Sequence, residues 1–405
     1  MLFQLKVVVY KTLVKFTKTL FVFLAQPKPT VYVGENATEK LCASMAQFGM
    51  QKVLIVTDDV LVKLGVAEKV EKALIKSGLE VVIFDGVTPD PTYTVVENTV
   101  ATLIGNNCDS ILALGGGSAI DAAKVAALCA TNPDKTPKSL GGFFKAKHAG
   151  LPFFAIPTTA GTGSEATIAA VISDPVSHAK TPVVDLKVVP IAAALDPTIM
   201  AGMPPHITAA TGMDALTHAV EAYIGKANTK ETDRYALAAV KMIFKYLPRA
   251  YENGQDMEAR EAMALASFYA GLAFTRTGVG YVHAIAHNFG GHYGTPHGLA
   301  NAIVLPYILE FYQDSTSEQM AEMATAAGIG QELVGDEALA AKFIEQIKML
   351  NSQMAIPTKL AVLKECDIKG IAKAARKEAH FDYTYPVPKY FDQRGCETII
   401  RKMLP

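Results

Sequence analysis

Neither sign of charge predominates in this 405-residue chain: 38 basic residues face 39 acidic ones, for a formal net charge of −1. So balanced a chain lacks the electrostatic footprint of a nucleic-acid or polyanion binder, and a small neutral partner is the expectation. Cysteine is scarce and unpatterned. Cys42, Cys108, Cys129, Cys366 and Cys396 are odd in number, far apart and never in a C-x-x-C arrangement. That excludes a disulfide framework and a cysteine zinc site, and points to reduced thiols in a reducing, cytoplasmic compartment. Long clean apolar runs are missing too. The most apolar stretch, MLFQLKVVVYKTLVKFTKTLFVFLA (1–25), carries Lys6, Lys11, Lys15 and Lys18, charges too evenly spread for a transmembrane span. A secretory signal needs its charge ahead of a clean apolar run and a small-residue cleavage site behind it, whereas the run after Lys18 leads into QPKPTVYVG. For residues 1–28 two readings stay open: an extension packed on the body of the protein, which is favoured, and a basic amphipathic segment lying on a membrane surface.

What is present is a core-forming composition, 50% hydrophobic and 19% charged, over a length that calls for two domains. From about residue 29 to 203, short apolar runs alternate with helical stretches. KVLIVTD (52–58), EVVIFDG (80–86), SILALGGGS (110–118) and PFFAIPT (152–158) read as strands, with helices at 60–77, 93–106 and 119–130. That alternation implies βαβ units and a parallel, Rossmann-like sheet, and the continuous apolar character of the strands implies that both sheet faces are covered. From 204 to 405, long Ala- and Leu-rich helical stretches dominate and no run reads as a strand, so the second domain is expected to be all-α.

In DSILALGGGSAIDAAK a strand runs into Gly115, Gly116, Gly117 and Ser118 and a helix follows at once. Residues without Cβ admit a ligand close to the backbone, and free N–H groups at a helix start favour a phosphate. The spacing lacks the third glycine of the G-x-G-x-x-G fingerprint, so a plain strand-to-helix turn is the competing reading. IPTTAGTGSEAT follows another strand and offers Thr158, Thr159, Thr162, Ser164 and Thr167 among glycines, a density suited to a pyrophosphate, or to a sugar and amide. Asp58, at the end of the first strand, is placed to bond ribose hydroxyls and disfavour a 2′-phosphate, and equally to cap the next helix.

Asp214 and His218 lie four apart in a helical pattern, as do His283 and His287, and His297 follows Pro296 in a Gly/Pro break. One carboxylate with two or three imidazoles suits a divalent transition metal, and a set that leaves a coordination position open is a catalytic one. Helical spacing does not choose between His283 and His287. His292 reads as structural, and His148, His178, His206 and His380 have no partner at ligand spacing. A nucleotide site on one domain and an open metal site on the other imply hydride transfer in the cleft between them, because a metal acidifies an alcohol and a nicotinamide accepts the hydride.

With these motifs in order, VTDDVL, FDGVTPDPT, GGGSAIDAAK, IPTTAGTGSEAT, GMDALTHAVEAY and GYVHAIAHNFGGHYGTPHGLANAIVLP, the chain resembles the iron-containing, or group III, alcohol dehydrogenases from about residue 29 onward. The resemblance implies a dehydroquinate synthase-like α/β domain followed by a helical one. It implies iron(II), or zinc or another divalent ion, on Asp214, His218, His283 and His297, with His287 beside the metal as a proton relay or cofactor contact. It implies NAD on Gly116, Gly117, Ser118, Thr158, Thr159, Thr162, Thr167 and Lys180, with Asp121 near the nicotinamide, Asp58 selecting NAD over NADP, and a homodimer.

Two departures stand out: FDYTYPVPKYF replaces the family's NPR element, which is expected to alter the packing of the last helices, and the first 27 residues are longer and more apolar than usual. Ile168, Ala169 and Ala170, where diol-oxidising members carry a polar residue, together with Phe274, point to an apolar pocket for simple primary alcohols and aldehydes. The alternatives are a glycerol, 1,2-diol or lactaldehyde dehydrogenase, a hydroxyacid–oxoacid transhydrogenase and, in another class, a lyase of the dehydroquinate synthase type. The last needs a basic pocket, and the residues around the histidines are apolar and glycine-rich.

Overall fold

The computed structural model describes residues 6–15, 27–176, 179–382 and 385–405. His178 lies outside them. The chain divides into an α/β unit of residues 26–203 and 255–268 and a helical unit that includes 6–15, 204–254 and 269–405.

The first element is α1 (6–15), a part of the helical unit. The α/β unit then runs β1 (Thr30–Val33), α2 (Ala37–Gln47), β2 (Lys52–Val56), α3 (Asp59–Lys63), α4 (Val66–Lys76), β3 (Glu80–Phe84), α5 (Tyr93–Gly105), β4 (Ser110–Gly115), α6 (Gly117–Thr131), β5 (Gly142–Phe143), β6 (Phe153–Pro157), β7 (Ala169–Ser173), β8 (Lys180–Val184), β9 (Ala192–Leu195) and α7 (Pro197–Met200). Six strands form one parallel sheet in the order β1-β9-β6-β4-β2-β3. The alternation of side chains along a strand splits its apolar run between two cores. Leu54, Val56, Ile111 and Ala113 enter the one containing α6, and Val53, Ile55, Leu112 and Leu114 enter the one containing α2 and α4. Because β2, β4 and β6 are neighbours and parallel, the turns at their carboxyl ends, carrying Asp58, Gly116 and Thr158, emerge at one edge of the sheet, the position where open α/β sheets bind ligands.

The stretch expected as one helix over 60–77 is two, α3 and α4, because Gly65 takes a left-handed φ of 72° between them. Four of the five strands not expected from the sequence carry no clear signal in it. β1, β5 and β9 have four residues or fewer, β9 is three alanines and a leucine, and β8 contains Lys180 and Pro182. β8 pairs antiparallel with β7 and parallel with β5 in a separate three-stranded sheet.

The helical unit continues with α8 (Pro205–Ile224), α9 (Lys230–Glu252), the second half of α10 (Met257–Thr277), α11 (Tyr281–Tyr293), α12 (His297–Ala326), α13 (Asp336–Gln353), α14 (Glu365–Lys377) and α15 (Gln393–Arg401), with no strand among the described residues. α8 packs against α9 and α12, and α12 against α13. Pro306 lies inside α12 and has no N–H for the carbonyl of Ala302 one turn back; the Asn351 amide of α13 donates to that oxygen at 2.7 Å instead. α1 buries Tyr10 and Val14, with the Tyr10 ring 5.1 Å from that of His380 and 5.5 Å from that of Tyr390. The described part of the N-terminal segment is thus packed on the helical unit. All five cysteines are free, four of them buried and Cys366 exposed.

Candidate active site

Three helices of the helical unit carry the histidine constellation. α8 presents Asp214, His218 and Glu221, whose i, i+4, i+7 spacing puts them on one face. α11 presents His283 and His287, and α12 begins at His297. Gly298 sets the approach of α12, since a Cβ there would lie 2.3 Å from the Ala210 carbonyl oxygen of α8. Only a glycine lets the first turn of α12 rest on α8 beside Asp214.

The result is a convergence of ligand atoms: Asp214 Oδ1 is 3.4 Å from His297 Nε2 and 3.8 Å from His283 Nε2, and among the described residues these three form a metal-capable group within 4.8 Å of one another. Asn301, one turn into α12, aims its amide nitrogen at all three, at 2.7 Å from Asp214 Oδ1 and 3.2 Å from each imidazole nitrogen, while its own buried Oδ1 makes no hydrogen bond. Two amide protons cannot satisfy three acceptors, and a divalent cation can. The donor set therefore fits the metal that its chemistry implies.

His283 is held in the form that binds metals. Glu221 Oε2 lies 2.6 Å from its Nδ1, and the same carboxylate accepts from the N–H groups of Gly280 and Val282 at 2.9 and 2.8 Å. With Nδ1–H donated to Glu221, Nε2 is left as the ligand atom. Burial and the surrounding imidazoles push the His283 pKa well below its usual value, so the ring is neutral. Burial raises Glu221 to about 8, against the pull of its N–H donors. His218 adjoins the group with its ring stacked between Phe274 at 4.0 Å and His283 at 4.6 Å, but is not among the three converging residues. His287 stacks on His297 with 5.2 Å between centroids, and its Nδ1 is 2.7 Å from Glu378 Oε1, which also accepts from the Tyr385 hydroxyl at 2.9 Å. His292 pairs with Asp367 at 3.5 Å on the half-exposed end of α11, His148 and His206 are exposed, and His380 is a core residue bonded to the Tyr281 hydroxyl.

In the α/β unit, Gly116 caps α6, whose first N–H groups, those of Gly117 and Ser118, have no intrahelical acceptor. A Cβ on Gly117 would lie 2.8 Å from the Thr162 methyl, and one on Gly116 would lie 3.3 Å from Thr159 Oγ1, so the loop after β6 rests directly on the turn. Thr158 N–H donates to the Gly115 carbonyl at 3.0 Å. Asp58 caps α3 through Leu61 N–H at 2.9 Å, with its other oxygen 4.0 Å from where a Gly115 Cβ would be. Both readings of Asp58 are therefore compatible with its place beside the turn.

Other members of the set bond within the protein. Asp121 accepts from Ser164 Oγ at 2.6 Å and Val171 N–H at 2.8 Å. Thr167 Oγ1 accepts from the Lys124 ammonium at 2.9 Å, and Lys180 pairs with Asp90 at 2.8 Å. Ala169 opens β7, its carbonyl accepting from Lys124 at 2.7 Å.

Two family models match the chain, iron-containing alcohol dehydrogenase over residues 28–197 and the C-terminal part of the Fe-containing alcohol dehydrogenase family over residues 208–404. The chain belongs to the iron-containing alcohol dehydrogenases. It is 40% identical to the NAD-dependent methanol dehydrogenase of Bacillus methanolicus over 86% of this chain and 91% of the relative, and 39% identical to the lactaldehyde reductase of Escherichia coli K12 over 85% and 91%. A crystal structure of a 1,3-propanediol oxidoreductase superposes with a TM-score of 0.90 at 35% identity, covering 94% of this chain and all of that one.

Within this family member, five polar residues beside the sites escaped the sequence reading. Glu221 had a legible signal, as the third member of the Asp214–His218 stripe. Glu378 and Tyr385 lie about ninety residues beyond His287 with no periodicity to link them to it. Lys124 and Glu165, charged residues within the two loop motifs, carry no local sign of their burial.

Proposed function

We propose that this dehydrogenase interconverts primary alcohols and aldehydes with NAD, using iron(II), or alternatively zinc or another divalent ion, on Asp214, His283 and His297 with His218 beside them. The observation that carries the reading is the convergence of one carboxylate and two imidazole nitrogens on a buried point, with His283 oriented by Glu221. When bound, the metal supplies Lewis acidity toward an alcohol hydroxyl and NAD supplies the hydride acceptor. The protein's own residues do the rest. The Asp214 carboxylate and the imidazole nitrogens of His283 and His297 offer the donor atoms at one point. His287, with Nδ1 engaged by Glu378, keeps Nε2 for exchange of the hydroxyl proton with solvent. Phe274, stacked on His218, contributes an apolar wall for a short alkyl chain. Gly116, Gly117 and Ser118 offer N–H groups to the pyrophosphate, and Thr158, Thr159 and Thr162 flank it. Asp121, Thr167 and Lys180 act by holding the surrounding segments, and the Asp58 carboxylate repels a 2′-phosphate, giving preference for NAD.

The names of the relatives, which cover methanol, lactaldehyde and 1,3-propanediol, share a primary alcohol or its aldehyde, and this supports the substrate class. Free cysteines support a cytoplasmic setting. A homodimer, the usual form of the family, is the expected assembly, to be read by light scattering. The test is formation of reduced nicotinamide by the iron-loaded protein with a panel of linear primary alcohols, glycerol and propane-1,2-diol. Turnover of the linear alcohols is expected. Turnover confined to the diols moves the assignment to the diol and lactaldehyde reading, and no turnover with metal and NAD both bound rejects the proposal.

A further inference from the structure

We propose that α1 docks the protein on an anionic lipid surface. The inference is independent of the alcohol chemistry. At about 100° per residue, Tyr10 and Val14 form the inner row of the helix, against the aromatic cluster of His380 and Tyr390. The opposite side is apolar as well. Val8, Val9 and Leu13 are 61%, 52% and 45% exposed, and Thr12 between them returns its hydroxyl to the Val8 carbonyl at 2.9 Å, which leaves its methyl outward. Exposed lysines border this side on both flanks, Lys11 and Lys15 beside Val8 and Lys6 beside Leu13. An apolar strip rimmed by cations is the pattern of a helix lying in a lipid interface, with alkyl chains below the headgroups and ammonium groups among the phosphates.

Charge chooses the occupant. The sequence contains no acidic residue before Glu35, and Lys18 and Lys28 extend the basic run in an otherwise balanced chain. A second copy facing this strip in an isologous pair would set the lysine rows against each other, which opposes self-association. Three exposed apolar side chains also fall well short of the roughly 800 Å² that each partner buries in a stable protein complex. A surface of anionic phosphates meets both features at once.

The full-length protein should float with phosphatidylcholine vesicles that contain phosphatidylglycerol and remain behind with pure phosphatidylcholine. The triple variants Val8→Ser/Val9→Ser/Leu13→Ser and Lys6→Gln/Lys11→Gln/Lys15→Gln should each lower the bound fraction about tenfold, and high salt should act as the second variant does. None of the six residues belongs to the active site, so both variants should retain the wild-type rate of alcohol oxidation, which separates lost docking from lost folding. Failure of the wild type to float, equal flotation with neutral vesicles, or unchanged flotation of either variant overturns the proposal. A lipid-free mass twice that of the serine variant at the same concentration also overturns it, by giving the strip to a second copy.

Discussion

Around the glycine turn of the α/β unit, polar side chains bond to one another and to the backbone, whereas in the helical unit they point at a common centre. Lys124 shows the first arrangement. Its ammonium lies 2.6 to 2.9 Å from the Ser164, Thr167 and Ala169 carbonyls and the Thr167 hydroxyl, and burial lowers its pKa to about 8. Asp121 bonds Ser164 and Val171 in the same way. In the proposed function the groups there that meet the pyrophosphate are backbone N–H donors, and Lys124 and Asp121 are scaffold. Asp214, His283 and His297 show the reverse, with converging side chains as the proposed binding groups and the backbone of α8, α11 and α12 as scaffold. Substitutions in the two units should therefore fail in different ways, one through the fold of a loop and the other through the loss of a ligand.

The largest expected effect is that of His283→Ala. It removes one of three converging ligands, and metal retained after dialysis, read by elemental analysis, should fall to background while NAD still binds. Retention of metal would break the division of roles. Lys124→Met comes next. It strands three carbonyls beside Asp121 and Glu165, and should cost about 3–5 kcal/mol in urea denaturation without altering the metal content of the protein that remains folded. A variant of wild-type stability would show that the ammonium is not scaffold. Glu221→Gln should weaken metal binding by about 10–100-fold, because the amide orients His283 less well, with melting in the metal-free state changed little.

The smallest effect sharpens the comparison through pH. Burial raises Glu165 to about 7 from its usual 4.5. The folded state then keeps a proton that the unfolded chain releases, so this group lowers stability progressively between about pH 4.5 and 7 and by a constant amount above. Glu165→Gln should match the wild type below that window and exceed it above by up to about 3 kcal/mol, as read by denaturation at pH 4 and pH 8. A gap of equal size at both pH values would show that the carboxyl does not titrate in the window.

The sequence disclosed the fold where periodicity was strong. Strands β2, β3, β4 and β6 fall within the apolar runs expected to form them, because apolar residues continue through both faces. β8 was hidden because Lys180 and Pro182 break its apolar character, and β7 because its short apolar run, IAAVI (168–172), follows directly on the hydroxyl-rich loop. The histidines were legible as i, i+4 pairs, yet spacing alone left His283 and His287 equivalent. They differ in what lies behind each ring, Glu221 from α8 in one case and Glu378 from the end of α14 in the other, and such long-range neighbours leave no local trace. Within the FDYTYPVPKYF segment, Tyr385 bonds Glu378, Pro386 accepts from Lys226 N–H at 2.7 Å, and Phe391 N–H donates to the Tyr281 hydroxyl at 3.0 Å. This segment thus supports α11 and the partner of His287.

The cysteines give the protein a built-in reporter. Burial pushes the thiols of Cys42, Cys129 and Cys396 up to about 12 and raises that of Cys108, so a thiolate-seeking label meets one ready site on the native chain, Cys366. Each further label marks an opening event. Because Cys42, Cys108 and Cys129 lie in the α/β unit and Cys396 in the helical one, the order in which they react, followed by peptide mass, records which half of the molecule loosens first.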